Sequence, residues 1–398
     1  MWSYKIPKGI KIITWATTIR WVGWGFFESL LPVFMFSFAN SFAETGFFKS
    51  VYYIFFLIAA PLAGILADRI STKVIILLGL AVYPLISLSY FWAGVSGMAV
   101  FIVIARALNG IGLAFDSVGR STYFRLHSPK DKIATTIGYF DVITTIFWIL
   151  AVLSSLYLIK IFEVHKLALA ILPTTFIAIA MVLMVKNGTH EKLKDGVKNI
   201  WRAGIFKNIL VEMKSWTKGI WLMGLANFFI GFVAVMGDFI IPIRVFQESG
   251  SLSKVIIIGA ILALPGLFDF KLGQFADRHR VKSLIIGLSA MAGLFIILAF
   301  SESFYAQMLI AFLLGISFNL INLASDGLMT RIVAPEHYGR VSSLNFDFDT
   351  VGAILGPIAI GLMIDGVGFS FASTVLALAS LIIIFIFFLN RRFLIENK

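Results

Sequence analysis

The stretch GILADRISTK, Gly64 to Lys73, returns about two hundred residues later as GQFADRHRVK, Gly273 to Lys282. Gly64 matches Gly273, Ala67 matches Ala276, the pair Asp68-Arg69 matches Asp277-Arg278, and Lys73 matches Lys282. Each copy closes one long apolar run and opens the next. A short charged hinge led by glycine, at the same place in two halves of a very hydrophobic chain, marks an internal duplication of membrane-spanning helices.

Composition points the same way. Of 398 residues, 59% are apolar and 14% charged, with 40 Phe and a mean hydropathy of +0.94; a soluble core could not bury so much apolar surface. Successive apolar runs of roughly 20 residues, each long enough for a ~30 Å hydrocarbon layer, predict twelve helices. They fall near 10-38, 46-69, 73-94, 97-122, 132-160, 166-186, 218-246, 252-277, 281-301, 304-331, 337-366 and 369-390. The fold class is thus an all-α membrane protein: an N-terminal six-helix bundle over 1-186, a cytoplasmic amphipathic linker over 187-217 and a C-terminal six-helix bundle over 218-398. In the linker, Trp201, Ile205, Ile209 and Met213 recur at i+4 while Arg202, Lys207 and Lys214 lie elsewhere on the wheel. That pattern suits a helix on the inner leaflet, or a simple tether between the bundles.

A net charge of +12 would suggest nucleic acid until the basic residues are set on the helix map. Loops and tails on the N-terminal side of the membrane hold 24 of the 33 Lys and Arg; Lys49, Lys160, Lys166, Arg244 and Lys254 lie on the other side, and Arg20, Arg106, Arg120 and Lys271 within spans. The excess of positive charge on one side places both termini in the cytoplasm of a plasma (inner) membrane protein and leaves no nucleic-acid partner. The basic N-terminus precedes an apolar run without a small-residue cleavage site and reads as a retained first helix. Cysteine is absent, which removes disulfides, thiolate chemistry and cysteine metal sites. No Gly-rich phosphate loop ending in Lys-Ser or Lys-Thr is present, so ATP is not expected to power the protein. Neither cofactor nor metal is expected.

The halves align beyond the hinge. Pro32 matches Pro242, and Glu28 and Asp238 each stand four residues before their proline. Arg125 matches Arg331, Pro129 matches Pro335 and Asp141 matches Asp347, all at an offset of 206. Two bundles of like topology, related by an axis along the membrane normal, enclose a cleft and give alternating access by rocking.

On these residues the chain resembles the major facilitator superfamily. Gly-x-Leu-Ala-Asp-Arg with a following Lys is similar to that superfamily's loop between helices two and three, and the second copy to its weaker echo between helices eight and nine. RALNGIG, opening at Arg106, resembles the fourth-helix motif Arg-x-x-Gln-Gly-x-Gly with Asn109 in place of Gln. The pattern is nearest the twelve-helix drug and metabolite exporters. The resemblance implies that Asp68 lies near the cytoplasmic start of helix eleven and steadies the outward-open state, with Arg69 and Lys73 in support; Ser71 and Thr72 depart from the usual pattern. It also implies a part for Arg106 in proton transfer. Drug-exporting antiporters carry a Gly-rich run ending in Gly-Pro in helix five. Here that run is missing, which counts against antiport, and Gly352-Ala-Ile-Leu-Gly356-Pro357 stands in helix eleven instead, where small residues four apart let helices pack closely.

Charges inside a bilayer cost a few kcal/mol each and are functional candidates by default. Glu28 and Arg106 fall at similar depth at ~1.5 Å per residue, and Asp238 at a comparable level across the pseudo-axis; the three are the expected proton-coupling group, with a static ion pair as the alternative. A fixed cation favours an ionised acid, and movement that separates them lets the acid take a proton. No histidine lies in a span, so proton coupling rests on carboxylates. Toward the cytoplasm lies a buried charge network of Arg20, Asp141, Lys271, Asp347 and Asp349, with Asp269 nearby. Arg20 is level with Asp141, and Lys271 could meet Asp141 or the helix-eleven aspartates; ion pairing and gating both stay open.

The expected conformational gate comprises Gly64, Asp68, Arg69, Lys73, Gly273, Asp277, Arg278 and Lys282, together with an Arg120–Asp326 bridge. The alternative pairs Arg120 with Asp116 and Asp326 with Arg331, each within its own bundle. Trp24, Phe27, Asn109, Asn227, Asn319 and Asn322 are the expected substrate cavity, an aromatic and weakly polar lining that suits an amphipathic or lipophilic solute better than a sugar; some of these aromatics can equally be core. The sequence thus reads as a monomeric secondary transporter, not an enzyme, that moves a small organic molecule through the lipid bilayer by alternating access, with proton-coupled export first. The alternatives are a proton-coupled importer or facilitator, and a non-transporting receptor or assembly factor with the same fold.

Overall fold

A computed structural model describes residues 6–67, 70–129, 133–185, 218–332, 338–390 and 393, without the side chains of 133–135, 270, 280, 326, 329–332 and 338–347. Asp68, Arg69 and the expected linker helix over 187–217 lie outside the described residues.

The described residues form helices and no strands. The first half holds α1 (Lys8–Glu28), α2 (Leu31–Phe36), α3 (Phe42–Ala67), α4 (Thr72–Ser96), α5 (Ala99–His127), α6 (Ile133–Leu158), α7 (Val164–Leu167) and α8 (Ile171–Leu183). The second holds α9 (Lys218–Val235), α10 (Ile241–Ser249), α11 (Leu252–Ala263), α12 (Asp269–Arg278), α13 (Arg280–Phe300), α14 (Phe304–Ile332), α15 (Tyr338–Val367) and α16 (Phe369–Leu389). Among the described residues ten helices are long and apolar enough to cross a bilayer, or eleven if Leu252–Phe268 and Lys271–Arg278, bent by 54°, make one span. The helix α1 is not among them: Lys11 and Arg20 dilute its apolar run. The expected count of twelve therefore turns on α1 and on the bent pair.

Apolar side chains that face outward mark the solvent as lipid. On α16, Leu378, Ile382, Phe385 and Leu389 recur at helical spacing and are 55 to 60% exposed. A row of that size on a water-facing helix would aggregate, whereas acyl chains cover it without penalty.

The described residues cluster into two compact units. In the first, α1 packs on α6 and α8, while α4 packs on α5 and α8. In the second, α9 packs on α15, and α13 packs on α14 and α16. In each unit the opening span therefore lies on the fifth, and the third on the fourth and sixth, so the sequence duplication is repeated in packing. One segment departs from the sequence order: Met35–Ser50, from the first half, belongs to the second unit. Asp365 holds it by accepting the Phe42 and Ala43 amides at 2.9 and 2.8 Å, and the Ser50 hydroxyl donates to the Ile354 carbonyl at 2.6 Å.

The small-residue run of the expected eleventh span is a packing seam. A Cβ on Gly352 or Gly356 of α15 would strike the backbone carbonyls of Phe228 and Phe232 on α9, and one on Gly231 of α9 would strike the Asp349 carbonyl. The hinge glycines differ: among the described residues a Cβ at Gly64 or Gly273 meets nothing within 4 Å.

The two proline repeats explain two breaks. Proline has no N–H for the carbonyl four residues back, and those carbonyls belong to Glu28 and Asp238. In the first copy the helix stops at Glu28 and resumes at Leu31. In the second it widens into a π-helical turn, Met236–Ile240, and resumes as α10. Each repeat-matched carboxylate thus stands where the backbone ladder is loosened, a frequent setting for function.

Candidate functional site

Glu28 projects from the end of α1, exposed, and its Oε2 accepts a 2.8 Å hydrogen bond from the indole Nε1 of Trp148 on α6. Arg106 on α5 is 6% exposed and lies over the Tyr52 ring at 4.6 Å from its centroid. Glu28 is thus joined to α6 through Trp148, and Arg106 to the start of the first unit's second span through Tyr52. An indole donor fixes the direction of the Glu28 carboxylate without neutralising it, and the cation beside Tyr52 is held by a ring face.

Asp238, the repeat equivalent of Glu28, has a different partner. Its Oδ1 lies 2.6 Å from the Lys49 Nζ in the second unit, with the acid side chain 54% exposed and the lysine 9%. The ammonium also lies 5.1 Å from the centroid of the Phe239 ring. Lys49 stood in the sequence reading only as one of five cations on the side away from the termini.

Deeper in the first unit is a buried trio. Arg20 Nη2 and Arg120 Nη1 approach the same Asp116 oxygen at 2.7 and 2.9 Å, with side-chain exposures of 2, 11 and 1% in the order Arg20, Arg120, Asp116. Arg20 is stacked 4.3 Å from the Tyr83 centroid and Arg120 4.8 Å from that of Phe140. Arg120 thus takes the within-helix alternative, one turn from Asp116. The Asp326 side chain lies outside the described residues. Two guanidiniums on one carboxylate tie α1 to α5.

Other expected residues separate. Asn319 donates to Asp269 Oδ1 at 2.7 Å, next to a 3-10 turn at Leu264–Phe268. Lys271 is exposed. Asp141 is exposed, Asp349 half-buried, and the Asp347 side chain is outside the described set. Trp24 and Phe27 are core: Trp24 packs edge-on against Tyr83 and Tyr90 at 6.3 and 6.2 Å, and Phe27 lies 5.0 Å from Tyr90. Asn227 is buried, Asn109 half-buried and Asn322 exposed.

Of the hinge residues, Lys73 has a defined task. Its Nζ donates to the Leu183 and Val185 carbonyls at 2.8 and 2.7 Å and so caps the end of α8 with a cation. Asp277, Arg278 and Lys282 are exposed.

Comparison with known proteins adds the family. The pattern of the Major Facilitator Superfamily matches residues 13–270 and 256–398. The chain is 25% identical to multidrug resistance protein 1 of Bacillus subtilis over 90% of this chain and 91% of that protein. It is 24% identical to the quinolone resistance protein NorA of Staphylococcus aureus over 90% of each. Among solved structures, the nucleoside transporter NupG superposes with a TM-score of 0.75 at 16% identity, covering 98% of this chain and 100% of that one. The xylose transporter XylE from E. coli gives 0.69 at 14% identity, covering 94 and 95%. At those identities the two structures speak for the fold alone.

Proposed function

Because the chain belongs to the major facilitator superfamily, and is a multi-pass membrane transporter rather than an enzyme, we propose that it exports a small amphipathic or lipophilic organic solute against its gradient, driven by protons moving inward. We further propose that it acts as a monomer in the plasma membrane with both termini in the cytoplasm, the arrangement its Lys and Arg distribution favours.

The observation that carries this reading is Glu28. An exposed carboxylate at the loosened end of a membrane helix, aimed by Trp148, is able to change its proton without unfolding anything around it. Asp238 is the second carboxylate of this kind. The names of the relatives in Bacillus subtilis and Staphylococcus aureus support export and a lipophilic substrate. Arg106, which the sequence sets at a similar depth, is the cation that competes with the proton for this carboxylate when helix movement brings the two together.

Proteoliposomes test direction and coupling together. With a fluorescent lipophilic cation and a quinolone as probes, an acid interior should drive uptake if substrate and proton move in opposite directions; an acid exterior should do so for an importer. Glu28→Gln or Asp238→Asn is expected to abolish gradient-driven accumulation while leaving substrate exchange largely intact. Should both single variants accumulate probe as the unaltered protein does, neither carboxylate carries the coupled proton.

A further inference from the structure

We propose that the break between Leu252–Phe268 and Lys271–Arg278 is a binding site for the cationic group of a lipophilic substrate. The Asp269 carboxylate reads the charge and Asn319 positions it, an assignment that rests on the reading above that the chain moves a lipophilic solute.

Pro265 has no N–H to give to the Ile261 carbonyl, and the Leu264 amide takes that carbonyl instead, so the helix tightens into the 3-10 turn Leu264–Phe268. The buried proline ring rests on α14 where Gly315 has no side chain: a Cβ there would lie 2.7 Å from the Pro265 Cγ. One turn further along α14, Asn319 donates to Asp269 Oδ1 at 2.7 Å. Two contacts thus hold the break against α14, and the second fixes the direction of the carboxylate. Its other oxygen borders open space. Among the described residues, a Cβ on the exposed Gly266 would have one neighbour within 4 Å, Asp269 Oδ2 at 3.9 Å. Leu267 and Phe268 beside that space are 48 and 47% exposed, and Phe268 lies edge-on to Phe312 of α14 at 6.3 Å between centroids. An oriented carboxylate oxygen, a notch left by a glycine and an aromatic rim together suit a cation carried on an apolar body.

The duplication does not require any of this. At the offset of 209 that pairs Gly64 with Gly273, the residues Pro265, Gly266 and Asp269 correspond to Phe56, Leu57 and Ala60 of α3. There the helix runs unbroken from Phe42 to Ala67, with Pro61 inside it. One copy is a plain apolar span, whereas the other interrupts its helix and sets a half-buried carboxylate in the break. A carboxylate within the bilayer costs a few kcal/mol, which a bound cation offsets. Lys271 leaves α12 two residues on, about 200° round the helix from Asp269, so the helix itself does not carry that ammonium to the notch.

The test uses the purified full-length protein in a neutral detergent and two dansyl probes that differ at one group, trimethylammonium in the first and tert-butyl in the second. Binding is read as energy transfer from the protein's tryptophans. Asp269→Asn is expected to weaken the cationic probe about tenfold and to leave the neutral probe within about twofold of the parent, which also shows that the variant is folded. Asp269→Glu, which keeps the charge, should retain most of the cationic affinity. Asn319→Leu removes only the positioning bond and should weaken the cationic probe by about threefold. Gly266→Leu fills the notch and should weaken both probes. A parent that does not bind the cationic probe, an Asp269→Asn variant that binds it as the parent does, or an equal loss of both probes in that variant overturns the site. So does a Gly266→Leu variant with both affinities unchanged, because the probe then lies elsewhere. Flux in proteoliposomes separates this from the proposed function. Acid-driven uptake with binding blind to charge removes the site and leaves export standing, while charge-selective binding at the notch without acid-driven uptake keeps the site and removes coupled export.

Discussion

Asp116→Asn is expected to be the most damaging conservative substitution in the first unit. It removes the one charge shared by Arg20 and Arg120 in a place where the carboxylate is 1% exposed and the Arg20 side chain 2%. An asparagine of equal size still accepts a hydrogen bond but cannot neutralise two guanidiniums. Breaking a buried pair by removing one partner costs about 3–5 kcal/mol, because it leaves the other charge uncompensated. Thermal denaturation in detergent, followed by tryptophan emission or by loss of monodisperse protein, should show a fall of several degrees and a lower yield. Arg20→Leu should be milder, since Arg120 and Asp116 then balance. A melting temperature for Asp116→Asn equal to that of the parent would mean that the trio does not hold α1 to α5.

The second large effect is expected at Gly352. Its missing side chain lets α15 lie directly on the Phe228 carbonyl of α9, while Gly356 does the same one turn later on Phe232 and Gly231 reciprocates from α9. The obstruction is backbone, which cannot rotate away. Gly352→Val should therefore exceed the about 1–3 kcal/mol usual for overpacking a core, and the protein is expected to be largely lost on solubilisation. Gly64→Ala is the control: with open space around it among the described residues, and a helix that favours Ala over Gly, it is expected to melt no lower than the parent. Equal stability of the two variants would remove the seam as an explanation for the Gly-rich run.

These two sites also mark what sequence discloses. The duplication, the class of fold and the close packing of Gly352 and Gly356 were legible, because helical periodicity and residue size act along one chain. Charge partners were less so. Counting residues gives depth in the membrane at ~1.5 Å per step, which set Arg20 level with Asp141, but it does not give the direction in which a side chain leaves its helix. Arg20 turns to Asp116, a residue read only as a neighbour of Arg120. Lys49 was more distant still from inference, since its partner is 189 residues away and nothing in the pattern links them. Trp24 and Phe27 illustrate a further ambiguity: an aromatic stripe reads the same whether it faces a cleft or packs on Tyr83 and Tyr90. The hinge lysine was found by motif, yet its engagement with the last carbonyls of α8 depends on where that helix ends in space.

The contact between Trp148 and Glu28 gives this carboxylate a spectroscopic signature. An excited indole redistributes charge toward its ring, so a carboxylate hydrogen-bonded to its nitrogen shifts the emission, and the shift changes when that carboxylate becomes neutral. Of the 9 tryptophans, Trp148 alone is isolated by subtracting the spectrum of Trp148→Phe. The difference emission should move in wavelength as pH is lowered through the acid's titration, and should be static in Glu28→Gln. A difference spectrum unchanged by both pH and that variant would place the two groups apart. Turnover could then be followed by light from within the protein, without a labelled substrate.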